Sequence, residues 1–493
     1  MKDTLMTYNS RRGLAFAIAH VCLYLLSGCA LGPDYVRPDT AIPAHHTEQP
    51  LAITRAPDGD VTQTFADGQD IPAQWWELFH SDALNELIQA SLKSNPDLQA
   101  AQAALRVAQE NVAAQQGGYY PTVGAEYDAT RQRVAQALST SASSNAYLYN
   151  LHTAQLNISY APDIFGLNRR QLESLQAQAD MQQYLLHATY LTLTSNLVNA
   201  AINEAALRAQ LQALQKIVDS QKKILLSVNR QFQLGQLGPL DVAAQESALA
   251  NAVAAVAPTE KQLALQRDKI KALSGKFPDD AGLPQFELAS LKLPGEIPLT
   301  LPSTLVDHRP DILAAEAQLH AASANIGVAV ANRFPDITLG VNSYGSAAYK
   351  LGDLFKSGTS FWNLAGSVTQ PIFDGGVLKH RQDAAQAAYE QAQAQYRSTV
   401  ISAFQNVADS LQAIQLDAVT LQATKNAEIA ARKTLDIANR QLALGDLSPV
   451  ALLSIEQNYQ QAELAHIVAQ AARYSDTVAL FQSLGGGWWN ARK

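Results

Sequence analysis

The chain repeats itself, and that constrains its fold more than any other property. Asn95-Pro96-Asp97-Leu98 aligns with Arg309-Pro310-Asp311-Ile312 at an offset of 214 (95 to 309), and Leu105 with Leu319, Asn111 with Asn325 and Pro121 with Pro335 keep it. The offset then drifts to 208, pairing Ile164-Phe165 with Ile372-Phe373, and holds at 210 further on. In that last register Arg230-Gln231, Leu234-Gly235, Leu237, Pro239, Glu246 and Gly275 align with Arg440-Gln441, Leu444-Gly445, Leu447, Pro449, Glu456 and Gly485. A duplicated chain builds one plan twice, so the periodicities of one half must recur in the other.

Each half reads as a helix, two strands and a long helical hairpin. After apolar Leu98, Leu105 and Val112, Pro121 breaks the helical pattern and strict alternation begins, with Val123, Ala125, Tyr127 and Ala129 set against Thr122, Glu126, Asp128 and Thr130. A Ser-rich loop from Leu138 to Asn145 leads to Ala154, Leu156, Ile158 and Tyr160, which alternate with polar neighbours. The second half repeats this with Ile337, Leu339 and Val341, a loop from Gly345 to Ser360, and then Trp362, Leu364, Gly366 and Val368. Strands are expected at about 121–133, 150–162, 335–345 and 361–371. Ten residues is the length of a tilted transmembrane strand with one face for lipid and one for a lumen. A half-buried hairpin on a soluble core alternates in the same way, but no element is left over to cover these apolar faces. Four strands cannot close in lipid, where an open edge leaves backbone groups unpaired, so closure demands an oligomer. Two copies give eight strands with a filled interior; three give twelve and a lumen.

The helical hairpins are expected over 167–275 and 376–485. From Leu167 to Gln231 no proline occurs, enough for a helix about 98 Å long. Its later part carries Leu207, Leu211, Leu214, Val218, Leu225, Val228 and Phe232 at coiled-coil spacing, broken once at Gln221. The return helix repeats every seven residues at Val242, Leu249, Val256, Leu263 and Ile270, and Pro258 is expected to interrupt and kink it. Between the two lies Leu234-Gly235-Gln236-Leu237-Gly238-Pro239, and in the second half Leu444-Gly445-Asp446-Leu447-Ser448-Pro449. Gly235 and Gly445 read as helix C-caps and the prolines as helix starts. Small seam residues suit a curved wall of helices, and the same letters would also build a solid coiled-coil rod.

The first thirty residues set the compartment. Lys2, Arg11 and Arg12 precede an apolar run from Leu14 to Leu26, the n-region and h-region of a signal peptide over 1–28, too short to span a bilayer. The run closes on Leu26-Ser27-Gly28-Cys29, which resembles a lipobox and implies acylation of Cys29. Net charge is −8; removing residues 1–28, at +2, leaves −10. An acidic chain has no basic excess with which to neutralise phosphates, which disfavours nucleic-acid binding, and none is expected. With cysteines only at 22 and 29, a disulfide framework and a cysteine zinc site are excluded. His45-His46 lies in a Pro-rich segment read as a solvated linker, with no metal partners at helical spacing. There is no phosphate loop, nucleophile elbow or thiol nucleophile, so no enzyme activity and no cofactor beyond the lipid on Cys29 are expected. Trp75-Trp76 and Trp488-Trp489 are read as packed pairs rather than interfacial aromatics.

Several stretches resemble the outer-membrane factor lipoproteins of resistance-nodulation-division efflux systems, the NodT-type and TolC-like proteins. They are Gly28-Cys29-Ala30-Leu31-Gly32-Pro33-Asp34-Tyr35, Trp75-Trp76 with Asn95-Pro96-Asp97-Leu98, Arg309-Pro310-Asp311-Ile312 with Ala324-Asn325-Ile326-Gly327, and Leu484-Gly485-Gly486-Gly487-Trp488. The resemblance implies a mainly α fold with a membrane β-barrel part: a homotrimer whose 12-stranded barrel, four strands per chain, continues into a long α-helical barrel. Its parts would be an N-terminal segment and periplasmic belt (29–94), repeat one (95–275), a belt linker (276–308), repeat two (309–485) and a tail (486–493). The implied function is the outer-membrane exit duct of a tripartite efflux pump, anchored to outer-membrane lipid and partnered by a periplasmic adaptor and an inner-membrane transporter. A periplasmic adaptor or coiled-coil structural lipoprotein is the alternative. By family the two turns form the periplasmic tip that meets the adaptor, with Leu234, Gly235, Leu237, Gly238, Pro239 and Asp241 in one and Leu444, Gly445, Leu447, Ser448 and Pro449 in the other. Relatives place a carboxylate in the entrance constriction where this chain has Ser454, one turn after Val450, so a charged ring here would rest on Asp446.

Overall fold

Alternation and heptad spacing produce the elements that they predict. The computed structural model describes residues 31–39, 42–47, 54, 61–133, 135 and 148–490; the signal peptide, Cys29 and the loop expected at 138–145 lie outside them. In chain order the elements are β1 (Thr64–Asp67), α1 (Asp82–Ser94), α2 (Pro96–Gln116), β2 (Thr122–Arg133), β3 (Leu148–Tyr160), α3 (Leu167–Gln233), α4 (Pro239–Leu273), β4 (Glu296–Leu299), α5 (Pro302–His308), α6 (Pro310–Ala331), β5 (Asp336–Ala348), β6 (Ser360–Thr369), α7 (Val377–Leu444) and α8 (Pro449–Ser483). Among the described residues no helix is long and apolar enough to cross a membrane. They divide into two units, Met1–Pro38 with Leu105–Gln182 and Ala315–Tyr396, and Asp39–Ala104 with Gln183–Ala314 and Arg397–Lys493.

The first unit holds an antiparallel sheet in the order β2-β3-β5-β6. Its apolar residues fall in rows across all four strands, Val123 opposite Ile158, Ile158 opposite Val341 and Val341 opposite Leu364. On the other face Glu126 accepts hydrogen bonds from Gln155 Nε2 at 2.9 Å and Asn157 Nδ2 at 3.1 Å. A bulge at Asn342 inserts one extra residue into β5, so Tyr344, not Ser343, continues the apolar rows opposite Leu156 and Trp362. The expected loop at 345–360 begins later, because β5 runs on to Ala348. Gly345 is not a turn residue: a Cβ there would lie on the carbonyl oxygen of Ala154 across the sheet.

The same unit seats the segment that follows Cys29 in sequence. Arg170 of α3, nearly fully buried, donates to the carbonyls of Leu31 (3.0 Å) and Gly32 (3.2 Å) and to the carboxylates of Asp34 (2.8 Å) and Glu173 (2.7 Å). Gly32 crosses Gly327 so closely that a Cβ on it would collide with the Gly327 Cα. Tyr35 then stacks on His320 at 4.3 Å, and Arg37 pairs with Glu316 at 3.1 Å.

The second unit has a contiguous apolar core. Ile71, Trp75, Trp76, Phe79 and Leu84 pack with Leu197 and Ile202 of α3, Val407 and Leu411 of α7, and Phe481 of α8. Burying these aromatics and aliphatics removes the apolar surface that would otherwise make so alanine-rich a chain marginal. Both Trp75 and Trp76 are core residues, while Trp488 Nε1 donates to the His308 carbonyl at 2.8 Å. The His45-His46 reading as a solvated pair is corrected for His46: its Nε2 donates to the Thr300 carbonyl at 2.8 Å and its ring packs 6.2 Å from Phe404. The expected interruption at Pro258 is also corrected, since α4 continues through it. Pro258 and Ala254, whose carbonyl the proline orphans, are exposed, and solvent can pair that carbonyl.

Candidate functional site

The hairpin turns are built by the same device twice. Gly235 (φ +74°) and Gly445 (φ +83°) adopt the left-handed conformation that ends α3 and α7. Beyond each, the backbone N–H reaches back five residues: Gln236 to the Gln231 carbonyl and Asp446 to the Gln441 carbonyl, both at 2.9 Å. An added Cβ would meet nothing at either glycine, so backbone conformation rather than space demands them. The return helices open differently. In the first turn Pro239 begins α4 after Gly238, whose N–H donates to the Asp241 carboxylate at 3.0 Å. In the second, Pro449 begins α8 and Ser448 Oγ accepts from the Ala451 N–H at 3.2 Å.

These turns present apolar side chains to solvent. Leu234 and Leu444 are exposed, as is Leu240 beside Asp241, while Leu237 and Leu447 are half-buried. Asp446 is exposed at the second turn. Ser454 is exposed too, its hydroxyl folded back on the Ala451 carbonyl of its own helix at 3.0 Å. The Val450 side chain lies outside the described ones, though its backbone is helical.

Behind the turns, the two hairpins are joined by a buried polar cluster that sequence reading missed. Glu456 of α8, 4% exposed, accepts from Ser220 Oγ at 2.9 Å and Gln221 Nε2 at 2.5 Å, both on α3. Gln245 of α4 donates to the Gln221 side-chain oxygen at 2.6 Å and its backbone carbonyl at 3.2 Å. Burial pushes the Glu456 carboxyl above its ordinary range, and the Ser220 hydroxyl, which favours the charged form, offsets part of that. Gln221 is therefore the seam position it interrupts, refilled with an amide that meets a carboxyl. The signal was present as the break at Gln221 and as Gln245, which falls between Val242 and Leu249 at seam spacing. The repeat mate of Glu456, Glu246, is exposed and takes no part.

A carboxyl pair sits between α7 and α8 in the same unit. Burial and the facing Asp476 push Asp417 up to about 7, against the pull of Arg473. Arg473 is itself buried, its Nε donating to Gln63 Oε1 at 3.1 Å and its Nη2 to the Val61 carbonyl at 3.2 Å. Among the described residues no cluster of His, Cys, Asp and Glu has metal-binding geometry.

Comparison with known proteins agrees with this geometry. The outer membrane efflux protein family model matches residues 87–276 and 301–486, one segment in each half of the duplication. The toluene efflux pump outer membrane protein TtgC of Pseudomonas putida is 30% identical over 471 residues, 95% of this chain and 95% of that protein. The probable outer membrane lipoprotein SilC of Salmonella typhimurium is 26% identical over 475 residues, 94% of this chain and 97% of its own. Among solved structures, the outer-membrane channel OprN superposes with a TM-score of 0.82 at 26% identity, covering 93% of this chain and 100% of that one. The chain thus belongs to the outer membrane efflux protein family, and its fold is that of the family's channels.

Proposed function

We propose that the chain is the passive exit duct of a tripartite efflux pump, assembled as a homotrimer and acylated at Cys29. One observation carries this reading: a four-stranded sheet, apolar on one face and polar on the other, whose outer strands β2 and β6 each have one edge without a strand partner among the described residues. Such a sheet is stable in lipid only when copies close it, and three copies give twelve strands around a passable lumen. The names of TtgC and SilC support the outer-membrane and lipoprotein parts. The turns at Leu234–Asp241 and Leu444–Pro449 would meet the adaptor, their exposed leucines supplying apolar contact. Asp446, Val450 and Ser454 are the residues proposed for the entrance constriction. Nothing in the chain supplies energy, so opening would come from partner binding and drive from an inner-membrane transporter.

Planar-bilayer conductance of the purified protein tests this, with wild type beside a Gly235→Leu, Gly445→Leu variant. A bulky residue at φ above +70° strains each turn. Small, mostly closed currents that rise in the variant support a gated duct. Well-folded oligomer that gives no current in either form overturns it and favours a structural coiled-coil lipoprotein.

A further inference from the structure

The sheet carries a record of how its own edges meet. Where the first repeat joins the second, β3 pairs antiparallel with β5: Tyr160 opposite Leu339, Ser159 opposite Gly340 and Ile158 opposite Val341. Both strands have copies. Pro121 and Pro335 make β2 the copy of β5, 214 residues earlier, and Ile164-Phe165 and Ile372-Phe373 make β6 the copy of β3, 208 residues later. Among the described residues each chain therefore holds one β3-like strand, β6, and one β5-like strand, β2, whose outer edges it does not itself pair.

We infer that β6 of one copy pairs with β2 of the next in the register of β3 with β5. Adding 208 to 160 and subtracting 214 from 339 sets Val368 opposite Ala125 of the next copy, and likewise Ser367 opposite Glu126 and Gly366 opposite Tyr127. Continued, the register lays Ser360–Thr369 along 124–133, so all of β6 is used and β2 is filled to its end. The bulge that shifts the β3–β5 pairing belongs to β5; β2 pairs with β3 without a break, so the copied register runs straight through.

The faces agree. Val368 and Leu364 fall beside Ala125 and Ala129 on the apolar side, and Gly366 leaves room for the Tyr127 ring. A slip of one residue would carry every apolar side chain of β6 to the polar face. An aromatic contact marks the same joint. Within the chain Phe165 stacks on Phe334 with ring centroids 5.2 Å apart. Their copies, Phe373 and Tyr120, are 91% and 72% exposed in the single chain. Two large aromatics this open, at the positions whose counterparts are stacked, are the two halves of the same contact made between copies.

This inference rests on the oligomeric duct reading, and cysteine pairs in native outer membranes test both. Facing residues of antiparallel strands lie within disulfide reach, whereas pairs two residues out of register lie beyond about 7 Å. Ser367→Cys with Glu126→Cys is expected to give a covalent oligomer ladder on oxidation, and Ser367→Cys with Asp128→Cys or Gly124→Cys none. A ladder from an out-of-register pair, or none from any pair in a protein that still conducts and resists SDS, overturns the register and leaves the duct standing. A protein that forms no oligomer overturns both. Independently, Phe373→Ala should lower the temperature at which the SDS-resistant oligomer dissociates. Phe373→Tyr should restore it, and Tyr120→Ala should add little to Phe373→Ala. Additive losses from the two alanines would overturn the stacking.

Discussion

The cluster around Glu456 makes a prediction whose sign and size follow from its contacts. Truncating Glu456 to alanine removes the acceptor for Ser220 Oγ and for Gln221 Nε2 inside the contact between hairpins. The hydroxyl can rotate to another acceptor; the amide, whose own oxygen is held by Gln245, has none. One unsatisfied buried donor costs about 1–3 kcal/mol, so a loss of about 2 kcal/mol is expected, on the order of 30-fold in local opening. Glu456→Gln keeps one acceptor for Gln221 and offers a donor to Ser220, while removing a carboxyl whose charged form burial disfavours. The pH dependence separates the two. A carboxyl raised in the folded state contributes stability that is full below its unfolded value, about 4.3, and is lost as pH rises toward the folded one. Hydrogen exchange at residues 217–225 and 452–459, measured from pH 4.5 to 8, should show wild-type protection, after correction for intrinsic exchange, declining as pH rises. Protection in Glu456→Gln should stay flat and at least equal to wild type at pH 7.5, and Glu456→Ala, equally flat, should exchange on the order of 30-fold faster than Glu456→Gln at every pH. If Glu456→Gln lost as much as Glu456→Ala at neutral pH, or wild-type protection rose with pH, the carboxyl would be ionised and paired, and the reasoning would fail.

Other sites give shorter tests. Asp476→Asn should remove the neighbour that helps hold Asp417 near 7, so the decline in melting temperature between pH 5 and 8 becomes shallower; an equally steep decline refutes the pairing. Arg170→Met should release the segment at Leu31–Asp34 at a cost of about 3 kcal/mol, read as chymotryptic cleavage after Tyr35 on the order of 100-fold faster, whereas unchanged cleavage means the segment is held by other contacts. Trp75→Ala, in the core of the second unit, should destabilise by about 3–5 kcal/mol in denaturant unfolding. Gly235→Ala should cost about 1 kcal/mol from backbone strain alone, because nothing lies near the added methyl; a larger loss in thermal melts would reveal a contact there.

The duplication, the strands and the hairpin turns were legible because each is written in local periodicity or in glycine and proline. Strand alternation survives translation into structure because lipid and lumen sort the two faces residue by residue, as the Val123, Ile158, Val341 and Leu364 row illustrates. What stayed hidden depends on contacts distant in sequence. Nothing local distinguishes Glu456, buried across α3, from its exposed repeat mate Glu246. Gly345 reads as a turn until the Ala154 carbonyl is seen pressed against it, and Pro258 reads as a break until its flank is seen to face solvent. The buried arginines 170 and 473 carry no periodic mark, because each is defined by the segment it holds.

The seat at Arg170 also imposes an order on biogenesis. Its floor comes from both repeats: the guanidinium from α3, and the Gly327 backbone, the His320 ring and Glu316 from α6. Residues 31–37 leave the ribosome 290 residues (37 to 327) before Gly327, and their seat is complete only after Gly327 has been made and packed. Until then residues 31–37 have no complete seat on the fold. Once the segment is seated, Cys29, two residues before Leu31 in sequence, can reach no more than about 7 Å from it. Docking of the amino terminus thus reports that both halves have folded, much as a latch closes only on a finished frame.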